Sequence, residues 1–255
     1  MNEVDHIRNL AEAAGCAGFG ITTADTFEDV GATIAERRDE GLAGKLRFTY
    51  RDPARAADVR RSFPWAERLV VVSWPYMPDA GNPGPAAAGT GRVARFAGVD
   101  QYEGLRRGLD TIAKTLREQG WRAAVLADDN RLVDRAAAVR AGVGWWGKST
   151  MVLDPRYGPW LLLGSVVTDS ELPTTSPMVR DCGTCDACLP ACPTGAIIAP
   201  GVLDAALCLA HWMQTAGVIP EHLRIPMGDR VYGCDDCLDA CPPGVKRMAE
   251  ADRGP

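Results

Sequence analysis

The sequence predicts an α/β (α+β) domain over residues 1–172 followed by a small cysteine-rich domain over 173–255. Helical and strand-like patterns alternate through the first part, which is the arrangement of a sheet with helices packed on it. Eight of the nine cysteines lie between residues 182 and 241. The chain also changes character near residue 173, from long apolar runs to short segments broken by proline turns.

The elements follow in order. "VDHIRNLAEAAG" has helical apolar spacing and ends at a glycine suited to a helix C-cap, before the strand-like "AGFGIT". "RLVVVSWPY" (68–76) is an apolar run with the length of a buried strand. "MPDAGNPGPAAAGTGRVARFAG" (77–98) is rich in Gly, Pro and Ala and reads as a loop, long enough to suggest a function. "YEGLRRGLDTIAKTLREQG" (102–120) is an amphipathic helix that leads into strand "WRAAVLAD" (121–128). "RLVDRAAAVRAG" (131–142) is helical, and "TMVLD" and "PWLLLGSVV" are two further strands. The two cysteine runs are the only internal repeat.

Bulk properties narrow the function. The formal charge of −5 gives no global basic field for nucleic acid. The first twenty residues carry charges throughout and no apolar core of a signal peptide, and no run of about 18 apolar residues occurs. Cysteines grouped in C-x2-C units in such a chain indicate metal binding in a reducing cytoplasm, with no membrane contact. The chain is expected to be a monomer.

"CGTCDACLPACPTGA" (182–196) spaces Cys182, Cys185, Cys188 and Cys192 as C-x2-C-x2-C-x3-C-P, the bacterial ferredoxin pattern for [4Fe–4S] clusters. In two-cluster ferredoxins the fourth cysteine of such a run serves the other cluster. The second run, "CDDCLDACPP", supplies Cys234, Cys237 and Cys241 and is one short. Cys16 sits in the first helix–strand unit and reads as a small core residue. Cys208, between the runs, is the remaining candidate. The expected sets are Cys182, Cys185, Cys188 and Cys241 for one cluster, and Cys192, Cys208, Cys234 and Cys237 for the other. A structural zinc site is the alternative for such pairs; the proline after Cys192 and after Cys241 favours iron–sulfur. His211 and His222 are then not needed as ligands. The 173–255 segment is thus a ferredoxin-like double [4Fe–4S] domain, and any organic chemistry belongs to residues 1–172.

Residues 127–153, "ADDNRLVDRAAAVRAGVGWWGKSTMVL", followed by "GPWLLLGSVVTD", resemble the signature of the epoxyqueuosine reductase family, whose core reads A-G-L-G-W-x-G-K-N-T. The likeness continues through the cysteine runs and "GVIPEHLRIPMGDRVYGCDDCLDACP", and more weakly through "ADVRRSFPWAERLVVVSWPY" and "GRVARFAGVDQY". The resemblance implies a cobalamin-binding first domain and a cobalamin-dependent reductase with two [4Fe–4S] clusters. It implies conversion of epoxyqueuosine to queuosine in tRNA, with electrons from an external low-potential donor. Aligned on the family's V-D-[ST]-G-P-x-L-E segment, Asp128 falls on the proton-donating acid and Asp134 on the Glu. Asp128 also ends a strand before a helix, where a raised carboxyl would serve as a general acid. The competing reading is a helix-capping carboxylate, with Asp129 the second candidate for the acid.

Other residues carry weaker signals. The "GWWGKST" loop, with Lys148, Ser149 and Thr150, would cradle the cofactor, and Arg95 would either meet a cobalamin side chain or a phosphate or stand as a solvated surface arginine. One of Trp145 and Trp146 should face inward and the other outward. Arg51, Arg55, Arg60 and Arg61 form either a solvated face or an RNA phosphate contact.

Departures from the family pattern gather on the substrate side. Asn130-Arg131 replaces Gly-Pro, Asp100-Gln101-Tyr102 replaces D-Y-H, and "LAHWMQT" replaces S-Y-x-T-I-E. The sequence also runs only to residue 255, without the helical-repeat extension of many members, and is expected to be a short form. Two alternatives therefore stand beside the tRNA enzyme: a related corrinoid reductase of a small molecule, and a cobalamin-free two-cluster electron carrier.

Overall fold

The computed structural model describes residues 2–76 and 87–251. The loop expected at 77–98 therefore lies in part, over 77–86, outside the described residues.

The chain runs α1 (Glu3–Ala13), β1 (Gly18–Thr23), α2 (Glu28–Asp39), α3 (Pro53–Ala57), β2 (Arg68–Pro75), β3 (Arg92–Val93), α4 (Gln101–Glu118), β4 (Ala123–Ala127) and α5 (Asp134–Arg140). A hairpin of β5 (Trp145–Trp146) and β6 (Val152–Leu153) precedes β7 (Leu161–Thr168). The cysteine segment holds α6 (Cys188–Ala191), β8 (Ile197–Ala199), β9 (Val202–Leu203), α7 (Leu209–Met213), α8 (Glu221–Met227), β10 (Arg230–Tyr232), α9 (Asp236–Asp239) and α10 (Pro242–Ala251).

The main sheet has the order β1-β2-β7-β4, and every pairing in it is antiparallel. Both faces are covered. On one face Val70, Val72 and Val166 pack with Ile7 and Ala11 of α1 and Leu105, Leu109, Ile112 and Leu116 of α4. On the other, Leu69, Val71 and Val167 pack with Ala57 of α3 and Ala136 to Ala138 of α5. This explains the unbroken apolar run of β2: its period-two alternation persists, but each face meets its own helices. Each fully buried Leu or Ile contributes about 1.5–3 kcal/mol by burial.

α4 is set against β2 by close contacts at its N-terminus. Asp100 caps it, its Oδ1 accepting from the Glu103 N–H at 3.1 Å. Trp74 Nε1 donates to Gln101 Oε1 at 3.2 Å. Gly104 makes room for the indole, because a Cβ there would lie 2.2 Å from Trp74 Cζ2. The first turn of α4 is thereby fixed beside the end of β4.

The cysteine segment is joined to this frame at several points. β10 pairs with β3 in parallel. Leu238 is buried in the same core as Trp160 and Tyr76, whose rings meet edge-on at 5.9 Å. Gly244 lies against Trp160, where a Cβ would come within 2.7 Å of Nε1. Among the described residues no helix is long and apolar enough to cross a membrane.

Candidate functional site

Where the sheet frame meets the cysteine segment there is a cavity of about 430 Å³. Phe96, Ala97, Val99, Asp100, Gln101 and Tyr102 line it from the first part of the chain, with Asp128 at the end of β4. Gln214 and Tyr232 close it from the cysteine segment. Phe96 and Tyr232 face one another at 5.9 Å across that junction.

Asp128 follows the last residue of β4 with φ +54°. That left-handed conformation is uncommon outside glycine, although Asp is among the residues that adopt it, and in functional sites it marks a backbone held for a purpose. Its side chain is exposed and makes no hydrogen bond or ion pair among the described residues. It does not cap α5, whose N-cap position is Val133 with no side-chain cap. Asp129 is differently placed. Its carboxylate accepts from Arg131 Nε at 2.9 and 3.1 Å and forms an ion pair with Nη2. Those hydrogen bonds hold the Asp129 carboxyl below the usual carboxylate range. Of the two neighbouring acids, one is committed to an arginine and the other opens to the cavity.

Two further titratable groups flank Asp128. Asp134, the first residue of α5, is pushed up by burial and further by the charge of Asp128, against the opposing pull of Arg135. Its Oδ1 accepts from the Arg135 N–H at 2.7 Å. Burial, with the charges of Asp128 and Asp134, raises the Tyr102 phenol to about 12.

The other residues singled out from the sequence lie elsewhere. Arg95 Nη1 reaches Asp239 at 2.7 Å and Asp235 at 3.4 Å, with the guanidinium 4.9 Å from the centre of the Trp160 ring. It lines a 40 Å³ pocket with Arg92, Arg230 and Cys234 and fastens α9 to the frame. Lys148 Nζ donates to the Gly183 carbonyl at 2.8 Å, inside the first cysteine run. Ser149 is buried in the hairpin, and Thr150 takes φ +68° with its carbonyl accepting from Arg135. These four are not among the described residues lining the 430 Å³ cavity. Trp145 is buried against Leu153 and Cys241, and Trp146 faces outward, as their adjacency requires.

The cysteines of the second segment act on one another electrostatically in two overlapping groups. Burial pushes the Cys241 thiol up to about 11, and Cys182, Cys188 and Cys185 add to the rise. Burial also raises the Cys237 thiol, with Cys234, Cys208, Cys192 and Cys188 contributing. Cys16 stands apart in the core under α1 and α4. Eight thiols in two such groups suit the donor chemistry of two four-thiolate clusters, which need the deprotonated sulfur. The Ala196 N–H donates to Cys192 Sγ at 3.2 Å, the kind of bond that steadies a cluster thiolate. The Cys234 thiol instead donates to Asp236 Oδ2 at 3.0 Å, a bond that deprotonation removes.

Tyr102, Phe96, Gln214 and Tyr232 line the cavity without having been marked as site residues. Tyr102 was visible only as an aromatic in place of a histidine, and Gln214 only as a departure after Cys208. Neither carries a spacing signal of its own.

Known proteins share the fold and the cysteine segment. Residues 181–244 match the 4Fe-4S double cluster binding domain model. An epoxyqueuosine reductase of Bacillus subtilis (strain 168) is 33% identical over 237 residues, covering 90% of this chain and 60% of the relative. One of Gloeobacter violaceus is 34% identical over 238 residues, covering 89% of this chain and 72% of the relative. A crystal structure of epoxyqueuosine reductase with an epoxyqueuosine-modified tRNA-Tyr stem loop superposes with a TM-score of 0.88 at 31% identity, covering 95% of this chain and 65% of that one. The chain spans less than two thirds of the length of the first of these relatives. A reductase fold with a double-cluster segment closing one cavity, and this degree of likeness over nine tenths of the chain, place it: the chain belongs to the epoxyqueuosine reductase family.

Proposed function

We propose that this chain reduces epoxyqueuosine in tRNA to queuosine, with Asp128 as a proton donor in the 430 Å³ cavity. The observation that carries the reading is the pair Asp128 and Asp129. One carboxylate is tied down by Arg131, and its neighbour, on left-handed backbone, is offered to the cavity. Family membership and a relative solved with a modified tRNA stem loop support this choice of substrate.

Two [4Fe–4S] clusters would be held by Cys182, Cys185, Cys188 and Cys241, and by Cys192, Cys208, Cys234 and Cys237. Cobalamin fits the open cavity in chemistry. The Phe96 and Tyr232 side chains in the lining suit the apolar corrin, and the Gln101 and Gln214 amides suit its peripheral amides. When bound, the clusters would supply a one-electron path from an external low-potential donor, and cobalamin would supply reducing cobalt chemistry in the cavity.

The chain's own residues do the rest. Asp128 donates to the epoxide oxygen as the C–O bond opens, which avoids release of an alkoxide. Ligands filling the cavity exclude water from around the carboxyl. Arg131 keeps Asp129 ionised and out of the proton path. Arg95, through Asp235 and Asp239, holds the second cysteine run against the cavity wall.

An anaerobic titration of the iron-reconstituted protein with cobalamin, followed by optical and EPR spectra of the cobalt(II) state, tests the cofactor. A perturbed, stoichiometric corrinoid signal is expected. Full iron content with no corrinoid bound would reduce the chain to an electron carrier.

A further inference from the structure

Removing the oxygen of an epoxide to leave an alkene breaks two C–O bonds and forms one C=C bond. It takes up two electrons and two protons and releases water. The electrons come from the external one-electron donor named above, and both protons end on the same oxygen. The first goes on as the ring opens; the second lets that oxygen leave as water rather than hydroxide. Asp128 accounts for one proton only.

We propose, on the strength of the epoxide-reductase reading, that the Tyr102 phenol is the second proton donor, protonating the departing oxygen from the α4 wall of the cavity. Tyr102 and Asp128 line the same cavity. The ring is set by the first turn of α4, itself fixed by the Asp100 cap and the Trp74–Gln101 bond. Four charged or titratable groups bear on the phenol: Asp128 and Asp134 on one account, Arg106 and Arg135 on the other. The Arg106 guanidinium lies 5.5 Å from the ring centre. Asp100 also lines the cavity, but its carboxylate is used in capping α4. A phenol held neutral up to about 12 is a donor at any physiological pH. Water has a pKa of about 15.7, so proton transfer to a leaving hydroxide runs downhill by roughly three to four powers of ten.

The test compares holoenzymes of the wild type, Tyr102→Phe and Tyr102→His on an epoxyqueuosine stem loop, with stem-loop binding followed by fluorescence anisotropy. Tyr102→Phe keeps the ring and loses the proton. Its kcat should fall by about 100-fold, with KM and binding changed less than about twofold. Tyr102→His restores a donor; it should recover most of the lost rate and add a pH-rate limb near about 6.5. Wild-type kcat in Tyr102→Phe overturns the proposal. Equal loss in both variants with weakened binding assigns Tyr102 to packing and also overturns it. A wild-type holoenzyme that neither binds nor converts the stem loop overturns the underlying reading and this role together, a failure seen before any substitution is made.

Discussion

In the sheet frame, four antiparallel strands bury branched apolar side chains on both faces against α1, α4, α3 and α5. In the cysteine segment the helices are four to seven residues long up to α9, and the buried apolar cluster around Leu209, Leu223 and Met227 is small. The frame has enough apolar burial to hold itself together. The segment has short elements around eight thiols and is fastened to the frame by its seams: β3–β10, Arg95 with Asp235 and Asp239, and Gly244 on Trp160. The difference teaches a division of labour. The sheet frame positions Asp128 and Tyr102, and the cysteine segment closes the cavity over them with Gln214 and Tyr232.

This contrast is open to experiment, and the largest expected effect is chemical. Asp128→Asn should lower turnover by about 100-fold or more while iron content and cobalamin binding stay intact; undiminished turnover would remove Asp128 from the acid's role. Next comes the metal segment. Cys237→Ala should lower iron from about eight to about four per chain and expose the segment to proteolysis while the frame stays folded. Cys16→Ala, by contrast, should leave iron unchanged. Leu109→Ala probes the frame. It should cost about 2–5 kcal/mol in denaturant unfolding without changing iron per folded chain.

The smallest effect is electrostatic. Burial raises the Asp134 carboxyl in the fold, so the native state keeps a proton that the unfolded chain loses above about 3.9. The stability this confers is therefore full at low pH and declines as pH rises through the folded-state value. Asp134→Asn cannot ionise, so its melting temperature should exceed that of the wild type at pH 8 and match it near pH 4. A constant difference across that range would place Asp134 outside the buried environment.

Much of the frame was legible from the sequence because buried strands and amphipathic helices write periodic patterns. β1, β2, β4, β7 and α4 all lie within a few residues of their expected places. Strand direction was not legible. A run such as that of β2, buried on both faces, looks the same in a parallel or an antiparallel sheet. The double-cluster segment was legible because cysteine spacing is local and chemically specific. The cavity was not, since it depends on short strands pairing across about 140 residues, as β3 does with β10. Arg95 illustrates the limit. Its partners Asp235 and Asp239 lie far along the chain, so its ion pairs were invisible, and neither a cofactor contact nor a solvated surface position anticipated them. The left-handed backbone of Asp128 likewise leaves no mark in composition.

The most direct assay is anaerobic turnover of the iron- and cobalamin-loaded protein on an epoxyqueuosine-modified tRNA stem loop, with nucleosides resolved by mass spectrometry. Queuosine should form with the wild type and fall to near background with Asp128→Asn. A wild-type protein that carries both clusters and cobalamin, yet leaves epoxyqueuosine unchanged under a low-potential donor, would contradict the proposed function.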